Sequence, residues 1–199
     1  FRIYMNHLAH LFLSQNNIDL MVGNFIADQV KGKDFNNYSE GVKQGIIMHR
    51  GIDTFTDTHP VVMQSKSRLY HIYHKYAPVI VDMYYDHILA RKWLNYSTIK
   101  LSEFAQKTYD KLISQQEQMP KRSQRILHYM IQGDWLCGYA TTKGMKHALG
   151  GLASRAKYDS KMEMAHLDLQ KDYLFYAAEF ELFFPELIEY VRNWTRTDE

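Results

Sequence analysis

The stretch SEGVKQGIIMHRGIDTFTD, residues 39–57, contains the pattern that decides the fold. Its apolar residues Val42, Ile46 and Ile52 recur at helical rather than strand spacing. His49 and Asp53 are four residues apart, so they share one face of that helix. The stretch therefore predicts a helix that places a metal-type ligand pair beside residues that favour burial.

The same helical period continues on both sides of this stretch, and no alternating strand pattern of useful length occurs. Four prolines and ten glycines punctuate the chain, and Gly23 inside the predicted second helix indicates close packing against another backbone. The expected boundaries are a first helix from Met5 to Leu13, a second from the cap Asp19 to Lys31, a third from Ser39, a break at Gly150 and Gly151, and a last long helix from Asp159 to Phe184 with Pro185 opening a tail.

With 199 residues and no low-complexity linker, the chain predicts one domain over residues 1–199. We expect an all-α fold, a single-domain multi-helix bundle of about eight to ten helices. Met5 resembles a natural start, so we expect residues 1–4 to be an upstream extension.

Composition excludes several classes of protein. The formal net charge of +2 argues against a nucleic-acid binder. No run of about 18 apolar residues occurs, so we expect no membrane span. A single cysteine rules out a disulfide within the chain and is typical of a reducing compartment, so we expect a cytoplasmic protein.

Three predicted helices carry acidic or imidazole side chains within otherwise apolar segments. A carboxylate on a buried helix face is costly unless it is paired or bound to a cation, and helical bundles gather such groups on one ion. The candidates are Asp28 on the second helix, His49 and Asp53 on the third, and Asp82, Asp86 and His87 on the fifth. A plain helix-stabilising pair remains open for His49 with Asp53, and we expect Asp57 to be a helix N-cap.

Three other patterns resemble sites but predict none. His71 and His74 lie in a polar helix, where solvated histidines are usual. Glu163 and His166 form one Glu-x-x-His pattern, whereas di-iron bundles need two. Cys137 has no accompanying signature of a thiol nucleophile.

Five motifs in order resemble those of the acyl-carrier-protein phosphodiesterases, a branch of the HD phosphatase and phosphodiesterase superfamily. They are MNHLAHLFLS at 5–14, GNFIADQVKG at 23–32, GIIMHRGIDTFTD at 45–57, APVIVDMYYDHILARKW at 77–93 and LGGLASR at 149–155. The resemblance implies an HD-like helical fold and removal of 4′-phosphopantetheine from holo acyl carrier protein, with Mn²⁺ or Mg²⁺ as cofactor. The chain departs from the usual HD pattern, because it has the reversed doublet Asp86-His87.

The resemblance also implies roles for individual residues. It most strongly marks Asp28 as essential and metal-linked, and it places His10 in the first motif. We expect Asp28, His49 and Asp86 to hold the ion. Asp53 or His87 would then orient a ligand or relay a proton, which makes Asp28, His49, Asp53 and His87 the catalytic candidates.

The expected substrate contacts are Asn24, Lys31, Arg50 and Arg155. Arg50 or Arg155 would contact the phosphate oxygens, because a guanidinium can donate two hydrogen bonds to a phosphate. The expected partner is holo acyl carrier protein, a small acidic protein, and basic clusters would steer it toward the site. These clusters are Lys31 with Lys33, then Lys121, Arg122 and Arg125, and then Lys143, Lys146, Arg155 and Lys157.

Two other functions remain open at this point. An HD-type phosphohydrolase acting on a nucleotide or other small phosphoester would have the same metal site without a basic rim. A helical binding module without activity would bind no divalent metal tightly. Sequence leaves the native metal and the oligomeric state open.

Overall fold

A computed structural model describes residues 7–196 and the side chains as far as residue 194. The helices are α1 His7–Leu13, α2 Ile18–Ile26, α3 Glu40–Thr58, α4 Pro60–Tyr73, α5 Ala77–Arg91, α6 Leu101–Ser114, α7 Lys121–Gln132, α8 Trp135–Gly138, α9 Thr142–Ala153 and α10 Ala165–Arg196. Short 3₁₀ turns are found at Ala27–Gln29, Asp34–Asn37, His74–Tyr76, Trp93–Asn95, Gln116–Gln118 and Met162–Met164. No strand occurs in this part of the chain, so the all-α prediction is confirmed.

Helix α5 is the central element of the bundle. Almost all of its side chains are buried, including the charged and polar ones at Asp86 and His87. It packs against α1, α4, α9 and α10. A helix that is apolar nearly all round belongs inside a protein rather than at its surface, and the composition of α5 explains why the others surround it.

Helices α2 and α3 form the closest pair in the bundle. An ideal Cβ on Gly23 would lie 2.1 Å from the carbonyl oxygen of Val42 and 2.7 Å from the Cα of Gly45. Only glycine fits at such a distance. The prediction that Gly23 marks close packing against another backbone is confirmed.

Several predicted helix ends differ from the structure. Asn17, not Asp19, caps α2, and its side-chain oxygen accepts from the amides of Asp19 and Leu20. Helix α2 stops at Ile26 and tightens into the 3₁₀ turn Ala27–Gln29 rather than reaching Lys31. Met5 and the expected extension at residues 1–4 lie outside the described residues.

Three predictions of helix caps and breaks that rested on single residues are also wrong. Asp57 lies inside α3 and accepts a hydrogen bond from Lys66 Nζ at 2.6 Å, so it caps no helix. Helix α9 runs unbroken through Gly150 and Gly151. Helix α10 begins at Ala165 and continues through Pro185, and its one non-helical residue is Asp172.

Candidate metal centre

Three helices meet at one buried polar cluster. Helix α1 contributes His10, α2 contributes Asn24, and α3 contributes His49 together with Asp53. The first three of these residues are between 1% and 6% exposed. Asn24 directly follows Gly23, so the close crossing of α2 and α3 brings its side chain against His49.

The amide of Asn24 fixes the orientation of both imidazole rings. Its Nδ2 donates to the carbonyl oxygen of His10 at 2.8 Å and to Ser14 Oγ at 3.2 Å. A carbonyl only accepts, so Nδ2 must face it and Oδ1 must face the rings. Oδ1 lies 2.7 Å from His10 Nδ1 and 2.9 Å from His49 Nδ1, and both rings therefore donate to it. With Nδ1 protonated in each ring, each Nε2 is available as a ligand.

The two Nε2 atoms face carboxylates. Asp53 Oδ1 lies 3.4 Å from His10 Nε2, and Asp53 Oδ2 lies 3.4 Å from His49 Nε2. Asp28 Oδ1 lies 3.3 Å from the same His49 nitrogen. His10, His49 and Asp53 each offer one ligand atom, and these three atoms lie within 4.8 Å of one another. Such a set of two imidazoles and carboxylates can hold a divalent cation.

The electrostatics of this cluster favour a positive charge at its centre. Burial alone would lower the pKa of His49, but the carboxylates of Asp28 and Asp53 outweigh burial and raise that pKa to about 9. Burial would raise the pKa of Asp53, yet the imidazoles of His10 and His49 beside it, through their contacts and charges, hold that pKa well below its usual range. A proton on His49 thus balances the carboxylates where a metal ion could do so instead.

Asp28 lies at the edge of the cluster. It belongs to the 3₁₀ turn Ala27–Gln29 that follows α2, and its side chain is 13% exposed. The helix C-terminus there carries partial negative charge, so a carboxylate is unfavourable without a cation nearby. This position gives Asp28 contact with both His49 and solvent.

Asp86 lies at the N-terminus of α1 rather than among the imidazoles. Its Oδ2 accepts from the amide of Leu8 and its Oδ1 from the amide of Ala9, both at 2.9 Å. Both carboxylate oxygens are therefore occupied by the amide groups that a helix start leaves unpaired. Burial raises the pKa of Asp86 to about 7, although these hydrogen bonds oppose that shift.

His87 points to another neighbour. Its Nδ1 donates to the carbonyl oxygen of Tyr139 at 2.6 Å, and its ring packs edge-on against Tyr173. Burial lowers its pKa, so the ring is neutral near pH 7. The structure thus places Asp28, His49 and Asp53 together, and it directs Asp86 and His87 to different partners.

The predicted substrate contacts also lie in different places. Asn24 is buried beneath the imidazoles, whereas Lys31 is exposed near Asp28. Arg50 donates to the carbonyl oxygens of Gly32 at 2.9 Å and Val30 at 3.0 Å, so it fastens the loop after α2. Arg155 follows α9 and lines a groove on that side of the bundle.

Two residues near the cluster were not among the predicted site residues. His10 completes the ligand set, and its signal was the pattern HLAH, which places His7 and His10 on one face of an apolar helix. Burial together with the charges of His10 and His49 lowers the pKa of His7 to about 3, so His7 stays neutral there.

The residues of the three patterns that predicted no site lie in different surroundings. His71 and His74 are exposed, and His166 donates to the carbonyl oxygen of Glu163. Burial, with Asp134 nearby, raises the pKa of the Cys137 thiol to about 12, so it is a poor nucleophile.

No helix among residues 7–196 has both the length and the apolarity needed to cross a membrane. Fold and site together define an all-α protein with a buried cluster of histidines and aspartates that could hold a divalent cation.

Comparison with known proteins gives the family. The family model described as acyl carrier protein phosphodiesterase matches residues 5–187. Relatives with that name are 31% identical in Photorhabdus laumondii over 95% of this chain and 96% of the relative, 29% in Serratia proteamaculans over 95% and 98%, and 30% in Escherichia coli over 93% and 96%. No solved structure matches this chain.

The chain therefore belongs to the acyl carrier protein phosphodiesterase family. The resemblance drawn from the five motifs is confirmed, and so is the expected class of enzyme, a phosphodiesterase.

Proposed function

We propose that this protein hydrolyses the phosphodiester that joins 4′-phosphopantetheine to a serine of holo acyl carrier protein, with a divalent cation as cofactor. The family supports the substrate, and the geometry around His10, His49 and Asp53 supports the cation. In this reaction water attacks phosphorus and the bond from phosphorus to the serine oxygen breaks. One proton ends on the serine hydroxyl, and phosphopantetheine leaves with the oxygen of the water.

The observation that carries the proposal is an unpartnered nitrogen. His10 Nε2 is buried without a hydrogen-bond partner among the described residues, although it faces Asp53. A buried polar atom without a partner is costly, and a ligand atom facing a carboxylate is the arrangement a cation would complete. The residues present therefore fit a divalent metal.

His10, His49 and Asp53 would hold this ion, with Asp28 beside it. Imidazole ligands suit transition ions and carboxylates suit Mg²⁺ and Mn²⁺, so the mixed set favours Mn²⁺ over Mg²⁺. A bound divalent ion would lower the pKa of a water molecule and neutralise charge on the phosphoryl oxygens.

The protein's own residues would orient this centre and receive the proton. Asn24 keeps both Nδ1 atoms protonated, so that Nε2 is the free ligand atom in each ring. Asp28 is part-exposed and adjoins His49, so it is placed to take a proton from the attacking water. Asp86 would act as a positioning residue, because it fixes the start of the helix that carries His10.

The test is to incubate the full-length protein with holo acyl carrier protein and Mn²⁺ and to weigh the carrier protein by mass spectrometry. Loss of the phosphopantetheine mass is the expected result. An unchanged carrier protein together with turnover of small phosphoesters would contradict the proposal and favour the HD-type phosphohydrolase. An unchanged carrier protein without any turnover or Mn²⁺ binding would favour a binding module.

A further inference from the structure

A groove of about 1050 Å³ opens on the side of the bundle formed by the end of α7, α8 and α9. Its walls are mainly apolar, with polar groups at a few points. The residues that the argument uses are Tyr129, Trp135, Tyr139, Lys143, Lys146 and Arg155. A concave, mostly apolar surface with a few polar groups is typical of a ligand site.

Tyr139 lines this groove and has a hydroxyl without a hydrogen-bond partner among the described residues. The Tyr139 side chain is 1% exposed, and its hydroxyl makes no hydrogen bond to any described residue. Leaving a buried hydroxyl unpaired is unfavourable, and a ligand with hydrogen-bonding groups would satisfy it. This observation is independent of the shape of the groove.

One side chain of the groove wall contacts α1, the helix that carries His10. The ring of Trp135 stacks with the ring of His7, with centroids 6.4 Å apart and planes 24° apart. His7 lies one helical turn before His10, and it feels the charges of His10, His49 and Arg155. Because it adjoins both Trp135 and the cluster, His7 joins the groove to the centre.

The rim of the groove is basic. Lys143, Lys146 and Arg155 line it, and Arg122 of α7 is close enough for its charge to act on Arg155. None of the described residues lining the groove is acidic. Two of the three basic clusters seen in the sequence therefore come together here, and they form a surface complementary to an acidic protein.

We infer that this groove holds the pantetheine arm of the substrate while the acidic carrier protein docks on the basic rim. The arm is narrow, with methyl and methylene groups separated by two amides and a hydroxyl. Such an arm suits apolar aromatic walls, and its polar groups can pair with the hydroxyl of Tyr139. With the arm in place, its phosphate end reaches His7 and the metal centre. This inference rests on the proposed function and adds where the substrate lies.

The sharpest test fills the groove at Gly150. A Cβ at this position meets nothing within 4 Å, so a larger side chain can enter the groove without disturbing the backbone. Gly150→Phe should raise KM for holo carrier protein at least about tenfold, because the arm loses its space. Gly150→Ala is the matched variant, and its KM should lie much closer to that of the unaltered protein. A folded Gly150→Phe variant with unchanged KM would overturn the inference.

Two further variants keep the inference testable if Gly150→Phe fails to fold. Tyr139→Phe removes only the hydroxyl, and we expect it to raise KM about three- to tenfold. Lys143→Glu with Lys146→Glu should raise KM in a salt-dependent manner. Lys107→Glu, an exposed charge reversal on α6, is the control. Equal KM for the rim variant and this control would count against docking on the rim.

A binding measurement separates this inference from the proposed function. Free pantetheine, titrated into the protein in EDTA, should change the intrinsic tryptophan fluorescence, to which Trp135 in the groove wall contributes, and Gly150→Phe should abolish the change. The unaltered protein could hydrolyse holo carrier protein while pantetheine gives no fluorescence response and Gly150→Phe leaves KM unchanged. That result would refute the groove as the site of the arm and leave the proposed function standing. A fluorescence response without hydrolysis refutes the proposed function and retains the groove as the site of the arm.

Discussion

Asn24 has more influence on the centre than its neutral amide suggests. Its oxygen accepts from both His10 Nδ1 and His49 Nδ1, and its nitrogen donates to a backbone carbonyl that cannot itself donate. This network allows only one orientation of the amide, so it determines the tautomer of both rings. A residue that orients the ligand rings without binding the metal ion itself changes the affinity for the ion more than it changes the fold.

Replacing Asn24 by leucine should therefore weaken metal binding. The side chains have similar size, but leucine no longer holds Nδ1 of either ring. We expect the affinity for Mn²⁺ to fall about 10- to 100-fold, as measured by isothermal titration calorimetry. Asn37→Leu on the exposed 3₁₀ turn after α2 is the control. Equal affinities for these two variants would show that Asn24 does not orient the rings.

Asp82 gives the metal-free protein a distinctive pH dependence. Burial raises its pKa to about 8, opposed by Lys66 and reinforced by Asp53, Asp57 and Asp86. Between the ordinary pKa of an aspartate, about 4, and this raised value, the folded state holds a proton that the unfolded state has lost. Stability therefore falls as pH rises across this window.

Urea unfolding in EDTA should show this fall between pH 6 and pH 8. Asp82→Asn should reduce the slope, because asparagine stays neutral throughout. Asp86 and His49, whose pKa values are also raised in the folded state, keep part of the slope in that variant. Asp110→Asn, at an exposed position on α6, should leave the slope as it is. A slope that does not change in Asp82→Asn would place the titration elsewhere.

At the scale of elements, the crossing of α2 and α3 determines whether a centre forms at all. A Cβ on Gly45 would lie 2.5 Å from the carbonyl oxygen of Leu20, and the contact at Gly23 is closer still. These contacts are with backbone, which cannot rotate away. The two glycines thus let the helix that carries Asn24 approach the helix that carries His49.

Gly45→Ala should destabilise the protein by about 1–3 kcal/mol through this overpacking. Gly150→Ala also replaces a glycine inside a helix but meets open space. It should stabilise the protein by about 0.5–1 kcal/mol. Chemical denaturation of both variants measures the difference. If both substitutions changed the free energy of unfolding in the same direction, the close crossing of α2 and α3 would not limit residue size at Gly45.

The elements could be predicted from sequence because helical periodicity is a local signal. The all-α fold follows from it, and Gly23 gave a correct inference about close packing. Boundaries based on single residues did less well. Gly150 and Pro185 both lie within helices, because packing along a long helix outweighs the local cost of one residue.

The site was predictable only as far as its parts share a helix face. His49 and Asp53 are four residues apart, and the structure does place both at the cluster. By contrast, Asp86 lies on α5, which was also predicted to carry metal ligands, yet its carboxylate oxygens accept hydrogen bonds from the first amides of α1. Spacing along one helix cannot show which second helix a side chain meets, so His10 was visible only as part of a motif.

At the scale of the whole molecule, the centre links side chains from three helices. Residues from α1, the end of α2, and α3 surround one point, where carboxylates and imidazoles balance through protonation. An ion that binds this point in the folded state but not in the unfolded state must stabilise the fold.

Mn²⁺ should therefore raise the free energy of unfolding by about 2.7 kcal/mol at an ion concentration of about 100 Kd. Asp53→Asn should remove most of this gain, because Asp53 faces both Nε2 atoms.

Asp28→Asn should retain part of the gain yet lower turnover of holo carrier protein at least about a hundredfold, because Asp28 lies at the solvent edge of the cluster. Thermal unfolding with and without Mn²⁺, and mass spectrometry of the carrier protein, measure the two effects. Full turnover in Asp28→Asn would remove it from the chemistry, and an undiminished Mn²⁺ effect in Asp53→Asn would move the ion elsewhere.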